Sequence, residues 1–293
     1  MSIDTDVQVR RAVTTPTRPA PGRGLGARLL TAAVLGWVAL LVLVPTLALL
    51  RGALAGGFAP FWEALSSADA IRAFRLTLAI TLVATLVNTV FGVGFAVVLV
   101  RHRFWGKTLA DGLVDLPFAV SPIIAGLMLV IVYGPHGWLG RWLEPAGVRV
   151  VYAWPGMVLA TIFVTLPFVV REVVPVLREF GVDQEEVAYT LGAGRWKTFW
   201  CITLPSIRWG LAYGVTLTVA RCLGEFGALL VVSGNILGRT QTTTLYIHDT
   251  IESFHTEGAY AASVLLAGVS FVMLIGMELV RQRVQGREGR GEA

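Results

Sequence analysis

Six long apolar runs divide this chain, and one polar stretch stands between the fourth and the fifth. The runs cover about 29–50, 76–100, 112–133, 155–176, 209–232 and 259–280. Each is about 20 residues or longer, the length an α-helix needs to cross a hydrocarbon layer of roughly 30 Å. Backbone groups in lipid must bond within their own segment, so the pattern predicts six transmembrane helices and an all-α integral membrane protein. Composition agrees: 55% of the residues are hydrophobic and 15% charged, too little charge to coat a soluble chain of this length.

The polar stretch reads EEVAYTLGAGRWKTFWCITLP, residues 185–205. Asp183 can cap a helix, with Glu186 three residues on as its capping-box partner. That helix is expected to reach about Leu191, with Val187, Ala188 and Leu191 on one face. Gly192 follows, the residue type that most readily ends a helix in the left-handed conformation. A second short helix then carries Trp196, Phe199 and Trp200, with Arg195 and Lys197 on other faces. Leu204-Pro205 is expected to end it before the fifth span. From the residues alone, the stretch is either a docking surface or an amphipathic pair lying on the membrane.

Lys and Arg set the orientation. Arg10, Arg11, Arg18, Arg23 and Arg28 lie before the first span, and Arg281, Arg283, Arg287 and Arg290 follow the last. Arg101, Arg103 and Lys107 lie between the second and third spans. Arg171, Arg178, Arg195, Lys197 and Arg208 lie in and around the polar stretch. The other side holds Arg51, Arg72, Arg75, Arg141, Arg149 and Arg239. The bias predicts both termini and the polar stretch on the cytoplasmic side. It divides the chain into a disordered cytoplasmic tail (1–28), a six-helix membrane domain (29–283) and a second cytoplasmic tail (284–293). The first apolar run is too long for a secretory signal core, although Ala53-Leu54-Ala55 follows it.

Outside, residues 60–70 suggest a short interfacial helix, and Trp138, Trp142 and Trp154 suggest interface anchors. Pro45, Pro117, Pro122, Pro167 and Pro175 fall within apolar runs, where proline bends a helix. Such bends are ordinary kinks or the hinges of a pathway.

Charges inside the membrane need partners. Arg221 and Glu225 stand four apart in the fifth run. They form either a structural pair or a pathway arginine held by its glutamate, with guanidinium geometry suited to an oxyanion. Asp115, near the cytoplasmic end of the third run, suits an interfacial cap or a partner for an arginine better than a pathway residue. Glu278 can snorkel to the interface. Residues 233–258 hold several threonines with His248 and His255 and read as a solvated outer loop, a contact for a partner. No metal site is expected, because no third ligand accompanies the histidines and Cys201 and Cys222 lack ligand spacing. No catalytic constellation is evident, and no G-x-x-x-x-G-K-[ST] motif is present.

The polar stretch resembles the EAA loop of bacterial ABC-importer permeases: E-A-A, three residues, G, nine residues, then hydrophobic-x-L-P. Here that is Glu186-Val187-Ala188, Gly192 and Ile202-Thr203-Leu204-Pro205, with Val187 where alanine is usual. DLPFAVSPIIAGL (115–127), YAWPGMVLATIFVTLPFVVREVVPVL (152–177) and ARCLGEFGALLVVSGNILGRTQTTTL (220–245) resemble the sulfate-permease branch, nearest its CysW-type subunit. The similarity covers 29–283.

The resemblance implies the type I ABC-importer permease fold, with a cytoplasmic coupling helix that seats Glu186, Val187, Ala188, Leu191, Gly192, Trp196, Leu204 and Pro205 in an ATPase groove. It implies a heterodimer with a second permease subunit, two copies of a cytoplasmic ATPase and an extracytoplasmic sulfate-binding protein, in a bacterial inner membrane. ATP and Mg would be bound by the ATPase, leaving this chain non-catalytic and without a cofactor. Sulfate or thiosulfate is the implied cargo, with Arg221, Glu225 and Asp115 as candidate pathway residues. Molybdate or tungstate import is the alternative within the class. An ion-coupled secondary transporter is the rival outside it, disfavoured by the docking stretch and the few buried charges. Nucleic acid is not an implied partner.

Overall fold

The computed structural model describes the backbone of residues 25–291 and the side chains of residues 26–279. Most of the expected N-terminal tail, residues 1–24, therefore lies outside the described residues, as do residues 292–293. Among the described residues there is no strand. In chain order the helices are α1 (Leu25–Leu54), α2 (Phe58–Ser66), α3 (Ala68–Arg101), α4 (Lys107–Ala119), α5 (Pro122–Tyr133), α6 (Gly140–Leu143) and α7 (Trp154–Phe180). After them come α8 (Asp183–Thr190), α9 (Arg195–Thr198), a π-helical turn (Phe199–Thr203), α10 (Leu204–Leu223), α11 (Gly227–Val232), α12 (Thr243–Glu252) and α13 (Thr256–Gly291). The last helix continues past 283 through most of the expected C-terminal tail.

The chain divides into two units, up to Leu49 and from Leu50. The first is the bulk of α1, whose large apolar side chains Leu30, Val34, Trp37 and Leu41 are exposed. Exposed apolar side chains along a helix suit lipid or another protein surface. In the second unit, α2 exposes Phe58 and Trp62, their rings 6.5 Å apart, as an interfacial helix would. Ser67 then caps α3 by accepting the Ala70 amide at 3.2 Å.

Four helices among the described residues are long and apolar enough to cross a membrane, or five if the bent pair α4–α5 counts as one span. Of the six expected spans, the third and the fifth are interrupted. The third run breaks at Val120-Ser121, where the axis turns by 112°. The cause is Pro122, which disfavours the helical region for the residue before it; Ser121 accordingly sits at φ −58°, ψ 137°. The fifth run breaks over Gly224-Glu225-Phe226, between α10 and α11. Pro117, Pro167 and Pro175 lie inside helices that continue through them.

The second unit has two apolar centres. Ile80, Met157, Val164, Ala228, Leu229 and Leu245 join α3, α7, α11 and α12. Val93, Leu99, Val114, Val170, Leu177 and Ile207 join α3, α4, α7 and α10. A polar seam separates them: buried Asn88 of α3 donates to the Ile162 carbonyl at 3.1 Å and to Thr165 of α7 at 2.8 Å.

The two broken runs meet through α5 and α11. A Cβ added at Gly126 of α5 would lie 2.7 Å from the Ala228 carbonyl oxygen of α11, and one at Gly227 would lie 3.1 Å from Pro122. Backbones this close need residues without side chains, the device by which helices associate where lipid removes the hydrophobic drive. Gly126→Ala is therefore expected to force α5 and α11 apart at a cost of about 1–3 kcal/mol. A lowered thermal midpoint of the detergent-solubilised complex is the measurement; an unchanged midpoint would contradict the packing.

Candidate docking and translocation site

The docking stretch begins where α7 stops at Gly181, whose φ of +70° turns the chain. Val182, not Asp183, is the N-cap of α8, and no side chain caps it. Asp183 instead joins Glu185 and Glu186 in the first helical turn, where negative charge opposes the positive end of the helix dipole. Gly192 closes α8 as the sequence predicts, at φ +86°. Its amide bonds the Tyr189 carbonyl at 3.0 Å, and the Ala193 amide bonds that of Ala188 at 2.9 Å. This is a Schellman closure. A Cβ at Gly192 would meet nothing within 4 Å, so backbone conformation, not crowding, selects glycine here.

The three residues expected on one face are divided. Ala188 is buried against the bundle, whereas Val187 and Leu191 point outward, Leu191 at 82% exposure. Neighbouring positions on a helix do not face the same way, and Ala188 took the inner one. Glu186 is also exposed. After Gly194 the chain runs from α9 through the π-turn into α10 with no break. Leu204-Pro205 therefore starts the fifth run's helix and does not end the docking element. Proline suits that place because it lies in the first turn of the α-helical segment, where a missing amide is tolerated. Trp196, 73% exposed, stacks 6.2 Å from Phe199 and meets Trp200 edge-on at 5.8 Å. The stretch exposes the apolar and aromatic side chains of Val187, Leu191, Trp196 and Trp200, with the charged Glu186, Arg195 and Lys197 exposed among them.

Beneath it lies a polar tether that the sequence reading missed. The Glu185 carboxylate is buried and takes Arg101, the last residue of α3, at 3.0 Å from Nε and 3.2 Å from Nη2. Thr203 of the π-turn donates to the same carboxylate at 2.7 Å. Arg101 also donates to the Leu177 carbonyl of α7 at 3.3 Å. Four elements, α3, α7, α8 and the π-turn, converge on one ion pair. Its only trace in the sequence is a second glutamate beside Glu186.

Asp115 is held by an arginine, one of the roles expected for it. Arg171 of α7 reaches both its carboxylate oxygens at 2.7 Å. The same guanidinium donates to the Asp111 carboxylate at 2.7 Å and to the Asp111 carbonyl at 2.8 Å. Asp111, one turn before Asp115 on α4, had not been singled out.

Arg221 and Glu225 also pair, at 2.7 Å. They are not on one continuous helix, because Glu225 lies in the break. Its second carboxylate oxygen accepts the Ala228 amide at 3.0 Å and so caps α11. Its carbonyl accepts the Thr244 hydroxyl at 2.7 Å. Glu225 is buried, while the Arg221 side chain keeps 32% exposure. The pair leaves guanidinium surface open beside two broken spans.

The stretch 233–258 is not the solvated loop expected. Thr240, Gln241, Thr242 and Thr243 are buried, and α12 follows them. Their polar groups are satisfied internally: Thr240 donates to the Ser233 carbonyl at 2.7 Å and Thr77 accepts the Thr243 amide at 2.9 Å. A run of hydroxyls resembles a loop in composition, yet each can bond backbone and enter the core. His248 pairs with Glu252 at 3.6 Å and packs on Phe226, apart from any pairing with His255.

These features match known proteins. The family described as binding-protein-dependent transport system inner membrane component matches residues 88–286. The chain belongs to that family. It is 47% identical to the sulfate transport system permease protein CysW of Synechocystis sp., over 87% of this chain and 92% of that one. To CysW of Escherichia coli it is 42% identical, over 87% of each chain. To the E. coli sulfate transport system permease protein CysT it is 38% identical, over 84% of this chain and 89% of the other. Among solved structures, a bacterial ABC transporter that imports alginate superposes with a TM-score of 0.74 at 20% identity, covering 89% of this chain and 95% of that one. This is the ABC-importer permease fold.

Replacing Arg171 with lysine removes the fork that joins α4 to α7. The expected cost is about 1–3 kcal/mol, the worth of hydrogen bonds to a charged group. Asp115→Asn should cost less, since Asp111 stays paired. Thermal unfolding of the solubilised complex ranks the two.

Proposed function

We propose that this chain is the CysW-type permease subunit of an ATP-driven sulfate or thiosulfate importer, forming part of the translocation pathway and coupling it to a separate ATPase. Two lines support the cargo: the relatives named for sulfate transport and their identity across most of the chain. One observation carries the coupling role, an exposed apolar strip on a backbone closed at Gly192 and tethered at Glu185. An amphipathic segment lying on lipid needs no such tether; a segment that must receive force does.

The partner set follows. A second permease subunit of the CysT type completes a heterodimer, because relatives of both types are similar to this chain. Two ATPase copies, which bind ATP and Mg, seat the Val187–Leu191–Trp196 surface, and this subunit does no chemistry itself. An extracytoplasmic sulfate-binding protein delivers the anion; a solved relative of the fold is described with a ligand-bound periplasmic protein. The assembly lies in a bacterial inner membrane with both termini in the cytoplasm. The Lys and Arg bias supports that orientation; Leu274 and Met277 of α13 line one cavity with Trp209 and Tyr213, near the start of α10, which supports a common side for the end of α13 and the docking stretch.

In this reading ATP-driven closure of the ATPases pushes α8 and α9, and the bundle responds by rigid-body motion that alternates access. Arg221, oriented by Glu225, presents positive potential to a passing dianion. Asp115 is held by Arg171, which it shares with Asp111. One arginine binds weakly, which suits a conduit the ion must leave.

Two substitutions test the parts separately. Leu191→Asp puts a charge into the docking strip and should reduce ATPase co-purification and sulfate uptake at least tenfold, as Gly192→Trp should by breaking the left-handed closure. Arg221→Gln should leave ATPase co-purification intact and lower binding-protein-dependent uptake of labelled sulfate about tenfold. Normal uptake in Gly192→Trp would sink the docking role. Competition by molybdate stronger than by thiosulfate would assign the cargo to molybdate.

A further inference from the structure

The Arg101–Glu185–Thr203 cluster offers more than local stability. Its geometry places one buried carboxylate at the crossing of three mechanical parts. The side chains of Arg101 and Glu185 keep only 12% and 9% exposure, so the pair stands largely out of water, where its attraction is least screened. Through Arg101 the carboxylate holds the end of α3, and Arg101 also holds the Leu177 carbonyl near the end of α7. Through Thr203 it holds the π-turn that joins α9 to α10.

That turn is where α-helical hydrogen bonding is interrupted between α9 and α10. Short π segments inside helices mark places where the hydrogen-bond ladder has been rearranged, frequently at functional sites. Without a crosslink, a push on α9 could be absorbed by repairing or extending the π-turn. Glu185 spans it: the carboxylate belongs to α8, and its Thr203 partner is the last residue of the turn.

We propose that Glu185 is a positioning residue for transport. It clamps the docking helix α8 to the ends of α3 and α7 and to the π-turn, so that movement of the ATPase is delivered to three membrane helices together. The clamp transmits force and does not itself form the docking surface, since the outward strip consists of Val187, Leu191, Trp196 and Trp200. This rests on the ATPase-docking reading above.

The test uses the whole complex, with its second permease subunit, ATPase and binding protein, reconstituted in proteoliposomes. ATPase co-purification, ATP hydrolysis and labelled sulfate uptake are measured in parallel. Glu185→Gln keeps the size of the side chain and loses its charge. It should retain the ATPase, yet lower sulfate transported per ATP hydrolysed by about fivefold or more. Thr203→Val removes only the bond to the π-turn and should lower the same ratio to a smaller degree. The swap Arg101→Glu with Glu185→Arg should recover part of the ratio that either single substitution loses.

A Glu185→Gln complex with the wild-type ratio overturns the proposal. So does one that loses the ATPase and hydrolysis together, because the residue would then only be shaping the docking surface. If the Glu185→Gln subunit does not fold into the membrane at all, Thr203→Val decides: an unchanged ratio there overturns the clamp across the turn. Leu191→Asp separates the two ideas. Retention of the ATPase by Leu191→Asp defeats the docking reading. Its loss, beside an unchanged ratio in Glu185→Gln, defeats the clamp alone.

Discussion

Backbone groups freed where a helix breaks inside this apolar bundle, and the charges carried there, need partners inside the protein, and that constraint organises the broken runs. Water is not at hand in the hydrocarbon layer to satisfy an orphaned amide or carboxylate. The two broken runs show the consequence. Where α10 stops at Leu223, backbone groups are exposed at mid-run, and Glu225 answers them by capping α11 while its own charge is met by Arg221. Thr244 satisfies the Glu225 carbonyl in turn. The break, the charge and the threonine-rich segment form one arrangement, and none of the three is stable in lipid without the others.

The same accounting links docking to the bundle. In the proposed coupling role, α8 offers apolar side chains to a partner on one face and stays attached to the membrane helices through the other. Val187 and Leu191 face outward; Ala188 and Glu185 face inward. The inward carboxylate reaches Arg101 and Thr203, so the outer face is backed by an ion pair and not by packing alone. Arg171 performs a related task in the membrane domain, holding Asp111 and Asp115 of α4 against α7 with one guanidinium. Arginine suits both places, because its planar fork serves several acceptors at fixed geometry.

Family membership and these contacts bear on different questions. Similarity across most of the chain to permeases named for sulfate transport speaks to the cargo. The contacts speak to how the subunit could work: an open guanidinium beside broken spans, and a docking strip with a rigid backing. At 20% identity the alginate transporter shares the fold and nothing finer.

Much was legible in the sequence because it depends on local rules. Apolar run length announced the membrane helices, and Gly192 announced the end of α8, since only a left-handed residue closes that helix. The four-residue spacing marked the Arg221–Glu225 pair. What tertiary structure alone decided is which polar groups meet. The burial of Glu185 beside exposed Glu186, the sharing of Arg171 by two aspartates, and the burial of Thr240–Thr243 arise between residues distant in sequence. The third run breaks for a local reason, Pro122, whereas the break in the fifth is held by Glu225, Arg221 and Thr244. Periodicity reports which face of a helix is apolar. It does not report the partner that makes a buried charge or an interrupted helix tolerable.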